Sequence, residues 1–223
     1  RPGGADHPYD VVKCGHRTRV RAYPISIAWP SQRQMDALPT VAECRQAAAA
    51  RWSLPAHGKL ILGIDRLDYT KGLLERLRAL EHLLDTYPQW RGAVQLVQVA
   101  APSRTALAEY AGFRAQLMAE VARINSKFAT TGAPLVLLLD SHHDRSAVNA
   151  LYRAADLCLV TSLHDGMNLM CKEFVAARDD LQGVLVLSQF AGAAPELPEA
   201  LIVNPYHIAQ VAQALHQGRE VAV

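Results

Sequence analysis

Short apolar runs alternate with longer stretches of helical periodicity over most of this chain. Residues 59–65 contain Leu60, Ile61, Leu62 and Ile64, a near-continuous run of the kind found in strands buried on both faces. Leu73, Leu77, Leu80, Leu83 and Leu84 follow at helical spacing, and Pro88 stops that helix. The same pattern predicts strands at 94–99, 135–139, 157–160, 184–187 and 201–203. It predicts helices at 41–52, 105–128, 169–177 and 207–216, and one capped by Asp144 that carries Val148, Leu151 and Tyr152. Upstream the signal weakens. Residues 1–19 lack a clear period and read as a loop, and 20–27 read as a strand interrupted by Pro24. Pro55 to Gly58 breaks the chain.

Strands alternating with helices argue for an α/β fold with a doubly wound, parallel, Rossmann-like sheet and right-handed crossovers. The expected division is an N-terminal extension and interdomain segment at 1–58 and a Rossmann-like domain at 59–223.

Five loops follow the carboxyl ends of the expected strands, the edge of an open α/β sheet where ligands bind. The loop after 157–160 places Asp165-Gly166 where a strand hands over to a helix. Free N–H groups at that helix start would face a phosphate. Asp165 is an acceptor suited to sugar hydroxyls, and equally a residue favoured before Gly in a turn. Gly166 permits close backbone approach or positive φ. Glu173, about one turn into the helix, suits the two hydroxyls of a ribose or an ordinary surface ion pair. Met167, Leu169 and Met170 read as packing.

The loop after 59–65 reads Asp65-Arg66-Leu67-Asp68-Tyr69-Thr70-Lys71-Gly72. Arg66 and Lys71 flank a turn that opens a helix, and both would reach a diphosphate there. Cations at a helix start oppose its dipole, so they need another reason to be there. The alternative is a solvated loop with ordinary salt bridges. Arg104 stands at another expected helix start, where a phosphate would justify it. His142 and His143, with His164 and Asp165 on the next loop, allow a metal cluster to be drawn. Adjacent histidines do not easily face one ion and no standard ligand spacing is present, so no metal site is expected. The small residues of Ser188-Gln189-Phe190-Ala191-Gly192-Ala193-Ala194 let a backbone come close. Neither a G-x-G-x-x-G nor a P-loop occurs.

Composition narrows the class. Lys+Arg is 23 and Asp+Glu 21, a formal net charge of +2, with no basic run to suggest nucleic acid or an anionic membrane. The four cysteines show no C-x-x-C spacing, which points to free thiols in a cytoplasmic protein. No apolar run reaches transmembrane length and no signal-peptide pattern is present.

Several of these stretches together resemble the trehalose-6-phosphate synthases. They are 65–72, Ala101-Pro102-Ser103-Arg104, Arg123-Ile124-Asn125, Asp165-Gly166-Met167-Asn168-Leu169, Lys172-Glu173, Phe190-Ala191-Gly192-Ala193-Ala194 and Val203-Asn204-Pro205-Tyr206. The resemblance covers about residues 20 to 217. It implies the C-terminal, donor-binding domain of a GT-B retaining glycosyltransferase, which moves glucose from UDP-glucose to glucose 6-phosphate. Arg66 and Lys71 match the pair on the donor diphosphate, Asp165 the aspartate on the donor glucose, and Glu173 the ribose-binding glutamate. His143 falls where the family contacts uracil, and Gly166, Met167, Asn168, Leu169 and Met170 belong to the donor loop. Arg104 matches the arginine on the acceptor phosphate. Arg66, Lys71 and Asp165 are therefore the expected catalytic residues, with no cofactor beyond the donor.

Several positions depart from the family. His164 stands where it usually has Arg, and Cys171, Leu74, Ser26 and Trp29-Pro30 also differ. Such changes leave open another phosphorylated acceptor such as glycerol 3-phosphate. The family's N-terminal domain, with most acceptor contacts, has no counterpart in these residues. The expectation is thus a half-site with weak turnover alone. A nucleotide-sugar binding module is the alternative, with self-association through an exposed interdomain face.

Overall fold

The computed structural model describes residues 9–54, 58–102, 108–128 and 133–221. Strands β1 (Tyr9–Lys13) and β2 (His16–Val20) form an antiparallel hairpin. Its turn residues Cys14 and Gly15 have φ of 50° and 75°, the left-handed pair that a tight two-residue connection requires. A hairpin therefore replaces the expected loop over 9–19. The strand expected at 20–27 is also corrected: β2 ends at Val20, and residues 21–31 have no regular structure. Pro24 has no N–H to give to a ladder.

Helices α1 (Gln32–Asp36) and α2 (Val41–Trp52) follow. A capping box starts α2: Glu43 N donates to Thr40 Oγ1 at 3.2 Å, and Thr40 N donates to Glu43 Oε2 at 2.8 Å. The regular alternation then runs β3 (Lys59–Arg66), α3 (Leu73–Thr86), β4 (Val94–Ala101), α4 (Ala108–Lys127) and β5 (Val136–Leu139). It continues with α5 (Arg145–Ala154), β6 (Leu157–Val160), α6 (Leu169–Ala177), β7 (Val184–Ser188), β8 (Leu201–Val203) and α7 (Ile208–Val221). Asp144 caps α5 as expected, its Oδ1 accepting from Ala147 N at 2.8 Å.

Strands β3 to β8 form one parallel sheet in the order β5-β4-β3-β6-β7-β8. The order runs outward in both directions from β3 and β6. The carboxyl ends of these two strands therefore flank the topological switch point.

Strand side chains alternate between two cores, as a period of two demands. Ile61, Leu96, Val136 and Leu157 face Leu77, Leu80 and Leu84 of α3 and Val211 and Leu215 of α7. Leu60, Leu62, Val97, Cys158 and Val160 face Cys44 and Ala48 of α2, Tyr152 of α5 and Phe174 of α6. So part of the segment expected as an extension, residues 41–52, covers one face of the sheet. Asp156, at the start of β6, fastens it there. Its Oδ2 accepts from Arg45 Nη1 at 2.6 Å and from Leu60 N at 2.7 Å.

Several charged side chains are buried within this apolar frame, Arg76 the most completely of those described. Arg76 of α3 is 1% exposed. Its Nη1 donates to Asp65 Oδ2 at 2.7 Å and Gln98 Oε1 at 2.6 Å, and its Nε donates to Thr161 Oγ1 at 3.1 Å. One guanidinium thus joins β3, β4 and the residue after β6. Burial pushes the Asp65 carboxyl above its ordinary value, against the opposing pull of Arg76. Gly63 leaves the space, since a Cβ there would stand 2.2 Å from Arg76 Nη1 and 2.4 Å from Gln98 Oε1.

On the outer surface α3 and α4 are clasped by charge. Glu81 accepts from Arg123 Nη1 at 2.8 Å and from Lys127 Nζ at 2.8 Å. The hydrogen bond from Arg123 outweighs partial burial, and Lys127 adds to it, so the Glu81 carboxyl is held at about 2.

Two outcomes are expected. Gly63→Ala should lower unfolding free energy by about 2 kcal/mol through overpacking against Arg76, measured by urea denaturation. An unchanged midpoint would show that Arg76 has room to move. The Glu81 carboxyl is depressed in the folded state relative to about 4.3 in the unfolded chain. Its contribution is therefore complete above that value and is lost as pH falls through about 2. The stability gap between wild type and Glu81→Gln should stay constant from about pH 7 to 5 and narrow towards pH 2.

Candidate functional site

A cavity of about 940 Å³ opens at the switch point. Arg66 lies at the end of β3, and Lys71 in a one-turn 3-10 helix at Tyr69–Lys71. Asp68 shapes that turn, its Oδ1 accepting from both Thr70 N and Thr70 Oγ1 at 2.9 Å. Thr70 O in turn accepts from Leu163 N at 2.8 Å, so the loops after β3 and β6 are hydrogen-bonded to each other.

Lys71 and Asp165 meet across this junction, Nζ to Oδ2 at 2.6 Å. Asn168 Nδ2 donates to the same oxygen at 3.0 Å, and Ser162 Oγ lies 3.3 Å from it. Burial alone would raise the Asp165 carboxyl. The Lys71 ammonium and the Asn168 amide more than offset that effect and hold it below its ordinary value. Asp165 is therefore an anion at neutral pH, with a fixed direction.

The loop after β7 completes the wall. Asp165 N donates to Phe190 O at 3.2 Å, Gly192 N to Asp165 O at 3.0 Å, and Ala193 N to Met167 O at 3.0 Å. Gly192 permits this approach, because a Cβ there would stand 2.0 Å from Gly166 O. The close approach expected at Gly166 thus depends on its partner glycine. A Cβ at Gly166 itself would meet nothing within 4 Å, and its φ is not positive. The left-handed residue is Asn168, with φ 65°. That conformation turns the chain sharply into α6 at a cost of about 1–3 kcal/mol. The first turn of α6, which includes Leu169 and Met170, then presents N–H groups that have no acceptor within the helix.

On the far side Glu173 lines the cavity with His142, His143 and Met170. Tyr152 Oη lies 3.2 Å from Glu173 Oε2 and 2.9 Å from Met170 Sδ, which sets the height of the carboxylate. Burial pushes the Tyr152 hydroxyl well above its ordinary value, so it acts as a donor. His143 Nδ1 lies 3.0 Å from Ser141 O, which orients its ring from within the loop. Among the described residues no group of three or more His, Cys, Asp or Glu side chains is placed to hold a metal.

The structure thus brings together Arg66, Lys71, His143, Asp165, Gly166, Met167, Asn168, Leu169, Met170 and Glu173 around one cavity. Arg104 lies outside the described residues. His164 is exposed and is not among the residues lining the cavity. Sequence reasoning missed Arg145, the first residue of α5, which lines the cavity beside His143. The signal was available, since it is another cation at a helix start. It also missed Tyr23, Pro24 and Ile25, which form the outer wall.

The sequence profile of glycosyltransferase family 20 matches residues 5–222. A trehalose-6-phosphate synthase from Citrobacter koseri is 44% identical over 205 residues, 92% of this chain and 42% of its own length. One from Salmonella paratyphi B is 44% identical over 221 residues, 94% of this chain and 47% of its own. The chain therefore spans about half the length of the curated relatives it matches. A Burkholderia xenovorans α,α-trehalose-phosphate synthase (UDP-forming), solved with glucose-6-phosphate, superposes with a TM-score of 0.84 at 40% identity. It covers 97% of this chain and 47% of that one. An Escherichia coli structure described as bound with UDP-2-fluoro glucose gives 0.84 at 40% identity, over 95% of this chain and 48% of that one. With the profile match running almost end to end, the chain belongs to glycosyltransferase family 20.

Proposed function

We propose that this chain is the donor-binding half of a retaining glucosyltransferase, which transfers glucose from UDP-glucose to glucose 6-phosphate and forms trehalose 6-phosphate. The observation that carries this reading is the Lys71–Asp165 contact at the sheet switch point. It places a cation for a diphosphate and an acceptor for a sugar side by side, 2.6 Å apart. Relatives solved with a UDP-sugar analogue and with glucose-6-phosphate support the two substrate classes.

In this reading the diphosphate sits between Arg66, Lys71 and the first turn of α6. Arg66 grips two oxygens, Lys71 adds a point charge, and the N–H groups of Leu169 and Met170 supply fixed dipoles. Asp165 accepts from hydroxyls of the donor glucose, and Glu173 holds the ribose hydroxyls at the height set by Tyr152. His143 flanks the base through its loop. As the sugar–phosphate bond breaks, negative charge grows on the leaving diphosphate, and the two cations stabilise it in place. No enzyme nucleophile is needed for transfer on the same face. The leaving phosphate oxygen takes the proton of the incoming hydroxyl. Side-chain cations thereby do the work that a divalent ion would do, and no further cofactor enters. Arg104 is assigned to the acceptor phosphate.

In this reading these residues form the donor side with one acceptor contact, and enclosing the acceptor away from water needs residues outside them. The loops at the carboxyl edge of the sheet also expose Tyr69, Phe190 and Tyr206, at 62%, 39% and 60%. Self-association would use this apolar surface. Among the described residues no helix is long and apolar enough to cross a membrane. Cys44, Cys158 and Cys171 are buried free thiols and Cys14 an exposed one, which supports a cytoplasmic setting.

Calorimetric titration tests the donor site. UDP should bind the folded chain, and an Arg66→Ala, Lys71→Ala double variant should weaken it by about 100-fold, since each lost contact is a charge-assisted hydrogen bond. No binding by folded wild type would refute a preformed donor site. Incubation with UDP-glucose and glucose 6-phosphate should give little or no trehalose 6-phosphate. Robust product formation by these residues alone would sink the half-site reading and leave a complete enzyme.

A further inference from the structure

Residues 21–30 form an outer wall for two adjoining cavities. Tyr23, Pro24 and Ile25 line the donor cavity. Ile27, Ala28, Trp29 and Pro30 line a second one of about 530 Å³, which shares Arg145, Val148 and Glu173 with the first. This wall has no regular structure and is mostly exposed, with Tyr23 at 84% and Trp29 at 57%. Among the described residues, the hydrogen bonds that hold 21–30 both come from one side chain. Lys172 Nζ donates to Ile25 O at 3.3 Å and lies 3.4 Å from Ser26 Oγ. It also pairs with Glu196 Oε2 at 2.8 Å.

The position of that lysine needs a reason. Its side chain is only 4% exposed, and a buried ammonium carries a desolvation cost that its partners must offset. It also sits one turn into α6, at the end of the helix dipole that disfavours cations. A residue there only to fill space would be apolar. Its neighbour Glu173 faces the donor cavity, so a single turn of α6 holds both the wall and a ligand-facing carboxylate. The 3-10 helix Ala194–Glu196, which follows the loop that packs against Gly166, carries the third partner.

We propose that Lys172 is a positioning residue that latches residues 21–30 across the nucleotide cavity. The latch keeps that wall in register with Glu173. The identity of the ligand rests on the donor reading above, but the latch itself does not.

The test uses the full chain with two independent readouts, the rate of proteinase K cleavage within 21–30 and UDP titration. Lys172→Met keeps the stem and removes the charge. It should speed cleavage in 21–30 at least about tenfold while the sheet stays intact, and raise the UDP Kd about tenfold. Lys172→Arg should restore most of both, and Glu196→Gln should fall between. Unchanged cleavage in 21–30 would overturn the latch, and so would faster cleavage spread evenly over the chain. Faster local cleavage with an unchanged UDP Kd would overturn the positioning role. If folded wild type binds no UDP, the donor reading fails while cleavage still decides the latch. Should Lys172→Met not fold, Ser26→Ala and Glu196→Gln carry the same expectation with smaller effects.

Discussion

The buried guanidinium of Arg76 is the contact on which the geometry of the site depends. A lone charge in that position would be untenable, and its three partners make it tolerable. Those partners come from β3, β4 and the start of the loop after β6. The carboxyl ends of neighbouring strands are thereby held at fixed relative heights. Both loops at the switch point start from this platform, since Asp65 precedes Arg66 and Thr161 opens the loop to Asp165. A buried pair of this kind adds little net stability against an apolar replacement. Its effect here is on position.

Above the platform the site is made by loops that hold one another. Thr70 O ties the loop after β3 to the one after β6, and Asp165, Met167 and Gly192 tie that loop to the one after β7. Electrostatics follows from this arrangement. Lys71 keeps Asp165 ionised despite partial burial, and Asp165 keeps Lys71 aimed into the cavity. The pair is preorganised, so a ligand meets charges that have already lost most of their freedom. The strained backbone at Asn168 is the counterpart of that order, because it sets the direction of α6 and of its free N–H groups.

The parallel sheet was legible because its strands are nearly continuous apolar runs and its helices show clean leucine spacing. Those signals are local and strong. The cations Arg66 and Lys71 stood out for the same reason, since each breaks a local rule at a helix start. The N-terminal third was less legible. A hairpin was missed because its turn, Cys14-Gly15, carries only one glycine. The strand expected at 20–27 failed because β-branched content outweighed Pro24 in the reading. Arg145 was passed over although it breaks the same rule as Lys71.

The sequence by itself determined the alternation of elements, and with it the parallel sheet, its carboxyl edge and the loops that could carry chemistry. These follow from periodicity, which acts over a few residues. Tertiary structure alone decided which residues meet. Lys71 and Asp165 are 94 positions apart, and Lys172 and Ile25 147. No local rule relates residues so distant. Their contact depends on strand order, on the space left by Gly63 and Gly192, and on where α2 packs. The physical reason is that a pattern fixes which face of an element is buried, whereas a site needs distances between elements, and only the packed core sets those.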